Sequence, residues 1–221
     1  MKVNPLFALL VNLLIPRQEE GAERGEGPEL GDLRTIVTLR RKLGSVTIII
    51  GRRESGKSVV GYRLAELLGR PIYAVSPEAA VPHGVTELSL EELDDMPPPG
   101  STLFLDDIPV YASQRDYGVA AVRVLEKLIP VVRHKRKLHI ISATQSSGLT
   151  DRFVMDADIV LLKPANLLFS DLERASVARL YRTVQPLFDQ MSPPECQRHI
   201  YLLSQNERRM VRVNLPSFMT R

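Results

Sequence analysis

The chain of 221 residues contains a single cysteine, Cys196. One thiol excludes a disulfide framework and a cysteine-built metal site, and it suits a reducing compartment. Histidine is also scarce: His83, His134, His139 and His199 are scattered without metal-ligand spacing. Charge of one sign is not in excess, since the formal net charge is +3 although the pI is near 9.1. Composition alone therefore does not argue for a nucleic-acid partner. The basic clusters Arg40-Arg41-Lys42, Arg133-His134-Lys135-Arg136-Lys137, and Arg208-Arg209 with Arg212 suit either a phosphate backbone or solvated helix ends. Long apolar runs are missing too. The run over residues 5–16 falls short of the ~20 residues a membrane helix needs, and no signal-peptide cleavage site follows it. No repeat of solenoid length is present.

What is there fits one sizeable globular domain, with 44% hydrophobic and 25% charged residues. Residues 1–16 are apolar, and residues 17–31 are polar, glycine-rich and linker-like. The expected organisation is an apolar N-terminal segment with a flexible linker over 1–31, then a main domain over 32–221 ending in a helix and a hairpin. The apolar segment is expected as a short helix packed on the domain, on a neighbouring subunit or on a membrane surface.

The main domain is organised around residues 46–58, VTIIIGRRESGKS. A short apolar strand leads into a loop that fits G-x-x-x-x-G-K-[ST] at Gly51, Gly56, Lys57 and Ser58, and a helical stretch follows. Such a loop turns backbone N–H groups inward around an anion, and the helix N-terminus adds its partial positive charge. The cradle runs over Gly51, Arg52, Arg53, Glu54, Ser55, Gly56, Lys57, Ser58 and Val59. Lys57 would reach the β- and γ-phosphates of ATP, and the Ser58 hydroxyl would hold Mg²⁺. The alternative is an ordinary glycine turn between strand and helix. The interior Arg52-Arg53-Glu54-Ser55 is bulkier than the usual glycine- and serine-rich version.

Further strands are expected at 71–76, 101–107, 138–145 and 158–163, with a hairpin formed by 199–204 and 210–215. Helices are expected from Ser89, with Glu92 completing a capping box, over 117–133, and over 172–188. Residues 32–44 suit helix or strand. The apolar run Leu103-Phe104-Leu105 ends in two carboxylates, at the strand edge where open α/β sheets bind ligands. Asp106 would engage Mg²⁺ through its water shell, and Asp107 would polarise the attacking water. Gln145, closing the next strand, would contact the γ-phosphate or orient that water. It would otherwise bridge neighbouring loops.

An extra strand between the P-loop and acidic strands fits the additional-strand P-loop ATPases, which have a RecA-like core. The stretch Arg133-His134-Lys135 through Ile140-Ile141-Ser142-Ala143-Thr144-Gln145-Ser146 resembles the signature of the FtsK–HerA superfamily. Within that group the chain looks most like the small genome-packaging ATPases of membrane-containing and large DNA viruses. Arg152, followed by Asp156-Ala157-Asp158, is similar to that family's stretch before the next strand. The resemblance covers roughly residues 44–165. It implies an α/β fold with a mainly parallel sheet flanked by helices, and an ATPase ring (pentamer or hexamer) that pulls double-stranded DNA through its centre. It also implies hydrolysis at subunit interfaces, with an arginine from the neighbour stabilising the transferring phosphate. Arg152 is the first choice for that arginine, ahead of Arg133 and Arg115. Such a protein would work in the host cytoplasm or at a capsid vertex, with the N-terminal segment docking onto a capsid or membrane vertex protein.

Three other functions share the P-loop. A small-molecule kinase would need an acceptor pocket and a lid of phosphate-facing arginines, and Asp106-Asp107 with Gln145 suit hydrolysis better. A membrane-associated phage-assembly, secretion or conjugation ATPase of the same superfamily is closer, because of residues 1–16. A non-enzymatic nucleotide-binding scaffold fits least, because every hydrolytic position is filled.

Overall fold

Continuous aliphatic runs become strands with no exposed face. A computed structural model of the chain describes residues 27–76, 80–89, 91–94, 97–106, 137–144, 156–165 and 175–219. Every residue of β1 (Ser45–Ile50), β4 (Thr102–Asp106) and β5 (His139–Thr144) is buried, as strands covered on both faces require. They join β2 (Ile72–Val75), β3 (Thr86–Glu87), β6 (Ile159–Leu162), β7 (His199–Ser204) and β8 (Arg208–Arg212) in a single eight-stranded sheet of order β3-β2-β4-β5-β1-β6-β7-β8. Pairing is parallel from β3 across to β6. It turns antiparallel at β6–β7 and β7–β8, so the expected C-terminal hairpin closes one edge. The extra strand between the P-loop strand and the acidic strand is β5, hydrogen-bonded to both.

Two apolar layers cover the sheet. On one face, α1 (Arg34–Arg41) and α2 (Lys57–Leu68) lay Ile36, Leu39, Val60, Leu64 and Leu68 against Ile49, Phe104, Ile141 and Ala143. On the other, Tyr181, Val184 and Phe188 of α3 (Ala175–Asp189) pack with Ile48, Leu103, Leu105 and Ile140. The ambiguous stretch 32–44 resolves as helix. Leu33, Ile36 and Leu39 are buried at a spacing of three, which a helix places on one side and a strand would divide between two.

Several local expectations meet their geometry. The Ser89 backbone N–H donates to Glu92 Oε2 at 2.7 Å and the Glu92 N–H to Ser89 Oγ at 3.3 Å, a capping box over a single 3₁₀ turn, Glu91–Asp94. The hairpin turn is shorter than the sequence suggests, because β8 starts at Arg208. Ser204 Oγ accepts the N–H groups of Asn206 and Glu207, and the Glu207 carboxylate takes the Thr35 N–H at 2.9 Å and the Thr35 hydroxyl. A short helix, α4 (Pro193–Arg198), was not anticipated. Its signal was legible in Ser192 and Glu195, which form another capping box with proline in the first turn. The expected helix over 117–133 and the apolar N-terminal segment over 1–16 lie outside the described residues. Among the described residues, no helix is long and apolar enough to cross a membrane, and no group of three or more His, Cys, Asp or Glu side chains is placed to hold a metal.

Candidate nucleotide site

The loop after β1 is anchored on both sides before it turns. The Gly51 N–H donates to Thr144 O at 3.2 Å, on the β5 side, and the Arg52 N–H donates to Pro164 O at 2.9 Å, beyond β6. Gly51 has to be glycine: a Cβ there would lie 2.5 Å from Lys163 Cβ and 3.0 Å from Ser55 Oγ. Gly56 caps α2 at φ +86°, a left-handed conformation that favours glycine. The first helical N–H to reach back is that of Val60, to Gly56 O at 3.2 Å. The N–H groups of Lys57, Ser58 and Val59 therefore have no acceptor within the helix and gather at its positive end. A cluster of N–H groups at the positive end of a helix, behind a glycine turn, fits a polyphosphate.

The loop interior closes on one carbonyl. Ser55 Oγ donates to Arg52 O at 2.8 Å and Lys57 Nζ donates to the same oxygen at 2.9 Å. Both side chains are buried, whereas Arg52, Arg53 and Glu54 are exposed. The bulk that is unusual in the sequence is thus directed outward, away from the buried Ser55 and Lys57 side chains. Glu54 stands at φ +60°, a conformation that costs a non-glycine residue roughly 1–2 kcal/mol.

Asp106 ends β4 and is 8% exposed. Its sheet face follows from Phe104, two residues earlier. The Phe104 ring packs edge-on against Tyr62 of α2, with centroids 4.7 Å apart and planes at 68°. Ser58 lies one helical turn before Tyr62, on the same side of α2. The parallel sheet thus brings Asp106 and Ser58 to one edge and one face, the pairing expected for a metal shared by a strand carboxylate and a P-loop hydroxyl. The Tyr62 phenol is held well above its ordinary pKa by burial, then by the negative charges of Asp106 and Glu87, so it stays neutral beside the site.

Asp107, Gln145 and Arg152 lie outside the described residues. The strands leading to the first two end at Asp106 and Thr144, the latter in contact with Gly51. One residue at the site escaped the sequence reading. Lys163 follows β6, is fully buried and runs beneath the loop. Its signal was a lysine closing an apolar strand, where neither face of the sheet offers water.

No family model matches the chain, and no curated protein matches its sequence. Solved structures do. The genome packaging NTPase B204 from Sulfolobus turreted icosahedral virus 2, in complex with sulfate, is similar over 79% of this chain and 98% of its own, at 12% identity and a TM-score of 0.51. The cytoplasmic domain of the Type VII secretion ATPase EccC from Thermomonospora curvata is similar over 81% of this chain and 24% of its own, at 16% identity and a TM-score of 0.51. The sequence resemblance is thereby borne out at the level of fold: the chain has the α/β P-loop NTPase fold, with the mostly parallel, helix-flanked sheet that a viral genome-packaging ATPase and a secretion ATPase share with it.

Proposed function

We propose that the protein is an ATP-driven DNA translocase that packages a double-stranded viral genome, working as a homo-oligomeric ring. The observation that carries the reading is the meeting of the Gly51–Ser58 cradle and the Asp106 strand end at one sheet edge, with β5 inserted between their strands. An additional strand in that place, ending where Gln145 begins, suits hydrolysis rather than transfer to a small acceptor.

Each residue has a task. The loop N–H groups and Lys57 bind the β- and γ-phosphates of ATP, Lys57 leaving Arg52 O for a phosphate oxygen. Ser58 and Asp106 would hold Mg²⁺, which supplies charge neutralisation on the phosphate oxygens when bound. Asp107 accepts the proton of the attacking water, and Gln145 orients that water or contacts the γ-phosphate. Arg152 of a neighbouring subunit stabilises charge on the transferring phosphoryl group, a contribution of roughly 10³ to 10⁵ in rate. Residues 32–221 form the motor domain, and the end of the expected linker is already packed on it: Pro28 O accepts the Arg212 N–H at 3.0 Å, Glu29 pairs with Arg212 at 2.6 Å, and Leu30 is buried in the core. The residues before them tether it to a capsid or membrane vertex protein, placing it in the host cytoplasm or at the virion vertex.

The test is steady-state ATP hydrolysis with Mg²⁺, with and without double-stranded DNA. Turnover is expected to rise with DNA and to lose that stimulation as salt rises, because phosphate contacts release counterions. Turnover unchanged over a range of DNA and salt concentrations refutes the translocase reading, and strict dependence on a small phosphate acceptor would make the protein a kinase.

A further inference from the structure

Lys163 holds four parts of the structure together. Its backbone N–H donates to Ile50 O at 2.8 Å, so it continues the ladder beside the last residue of β1. Its Cα and Cβ fill the space that a side chain at Gly51 would need. Its chain then passes under Gly56, where a Cβ would come 3.7 Å from both Cε and Nζ. The ammonium ends on three carbonyls, donating to Cys196 O at 3.0 Å, Gln197 O at 2.8 Å and His199 O at 2.9 Å.

Those carbonyls belong to the C-terminal end of α4. A helix leaves its last four carbonyls without intrahelical partners, and here each is satisfied. Glu195 O accepts from His199 Nδ1 at 2.8 Å, Arg198 O accepts from the Val213 N–H at 2.7 Å, and Lys163 takes the two between. The ammonium's three donors match three acceptors, and a cation at a helix C-terminus complements the dipole. All three acceptors are uncharged, so its field adds to that of Lys57 and the α2 N-terminus. Burial pulls the Lys163 pKa down to about 7, with Lys57 pushing the same way and Cys196 opposing. The three carbonyls favour the charged form.

We propose that Lys163 is a positioning residue for the phosphate-binding loop, holding Gly51 and Gly56 against the end of α4 so that nucleotide occupancy is coupled to the α4–β7–β8 unit. The inference rests on the nucleotide-binding reading of the loop. In a motor it gives the hairpin edge a direct mechanical link to the phosphates that does not pass through Asp107, Gln145 or Arg152.

Hydrogen exchange on the full wild-type chain, with and without Mg-ATPγS, is the primary test. Protection is expected over residues 51–58 and, with it, over 195–203. Protection confined to 51–58 overturns the coupling while leaving nucleotide binding intact. Protection of neither segment overturns the nucleotide reading itself, and the coupling with it. Lys163→Gln keeps two N–H donors without the charge, and Lys163→Met removes both. In either variant that retains a cooperative melt, the KM for ATP is expected to rise about 10-fold, a change of ~1.4 kcal/mol in binding, with kcat within about threefold, and the 195–203 protection is lost. A KM equal to wild type, or equal losses in kcat and stability with KM unchanged, marks Lys163 as structural only and overturns the proposal. If neither variant folds, the wild-type exchange pattern decides.

Discussion

Replacing Gly61 by alanine sets two effects of opposite sign against each other. Gly61 lies in the middle of α2, where alanine favours helix over glycine by ~1 kcal/mol. On an exposed helix face the substitution would stabilise the protein. Here a Cβ would fall 2.2 Å, 2.5 Å and 2.9 Å from Cε2, Cζ and Cδ2 of Phe104. The ring would have to retreat by roughly an ångström to regain ordinary carbon–carbon contact. Phe104 has no exposure, its strand is held between β2 and β5, and Tyr62 stands against its ring. Overpacking costs ~1–3 kcal/mol, and a 2.2 Å clash with a ring that has no exposed side belongs in the upper part of that range, about 2–3 kcal/mol, so it outweighs the propensity gain. The expected net loss is about 1–2 kcal/mol, a fall in melting temperature of about 2–8 °C for a domain of this size. Thermal unfolding of the full chain, followed by circular dichroism, reads it. Phe104→Leu removes part of the obstructing ring, so Gly61→Ala added to Phe104→Leu should cost at least about 1 kcal/mol less than it does alone. A Gly61→Ala protein that melts at or above wild type, or additive losses in the cycle, would refute the packing account.

The remaining predictions concern chemistry and pH. Lys57→Ala should lose binding of a fluorescent ATP analogue; wild-type affinity in that variant would remove Lys57 from the site. Asp107→Asn should bind ATP normally but lose about 10² to 10⁴ in turnover, the usual worth of a general base, and normal turnover would displace Asp107 from that role. His139 is fully buried, with Nδ1 paired to Ser45 Oγ at 2.6 Å and Nε2 without a partner among the described residues. Burial, with Arg70 and Lys42 adding to it and Asp158 opposing, lowers its pKa from 6.5 to about 4. Between those values the unfolded chain binds the proton and the folded chain does not, so stability is full above pH 6.5 and falls as pH drops toward 4, by up to about 3 kcal/mol. Urea melts at pH 7 and 4.5 should show that drop, and His139→Gln should flatten it; an unchanged slope in the variant would assign the acid sensitivity elsewhere.

Much of the fold was legible because its signals are short-range. The strand ending at Ile50 and the glycines at 51 and 56 lie within one contiguous stretch, as do Leu103-Phe104-Leu105 and the two acids after it. The capping pair Ser89 and Glu92 and the hairpin around Ser204 depend on neighbours a few residues away. The length of that hairpin turn was less legible, because a distant residue, Thr35, anchors it through Glu207. The helix at 34–41 was ambiguous for the same reason: its apolar spacing acquires meaning only when α2 and the sheet supply a face to cover.

By itself the sequence determined the phosphate loop, the acidic strand end and the periodicities of the core, since each follows from backbone geometry and residue type over a few neighbouring positions. Tertiary structure alone decided that β5 separates the loop strand from the acidic strand, that Asp106 faces the side of α2 carrying Ser58, and that Arg52, Arg53 and Glu54 turn outward. It also decided why Gly61 is a glycine and what Lys163 does. The partners in those cases are Phe104 and the carbonyls of Cys196, Gln197 and His199, 33 to 43 residues away along the chain, and only the packing of sheet against helix brings them within reach.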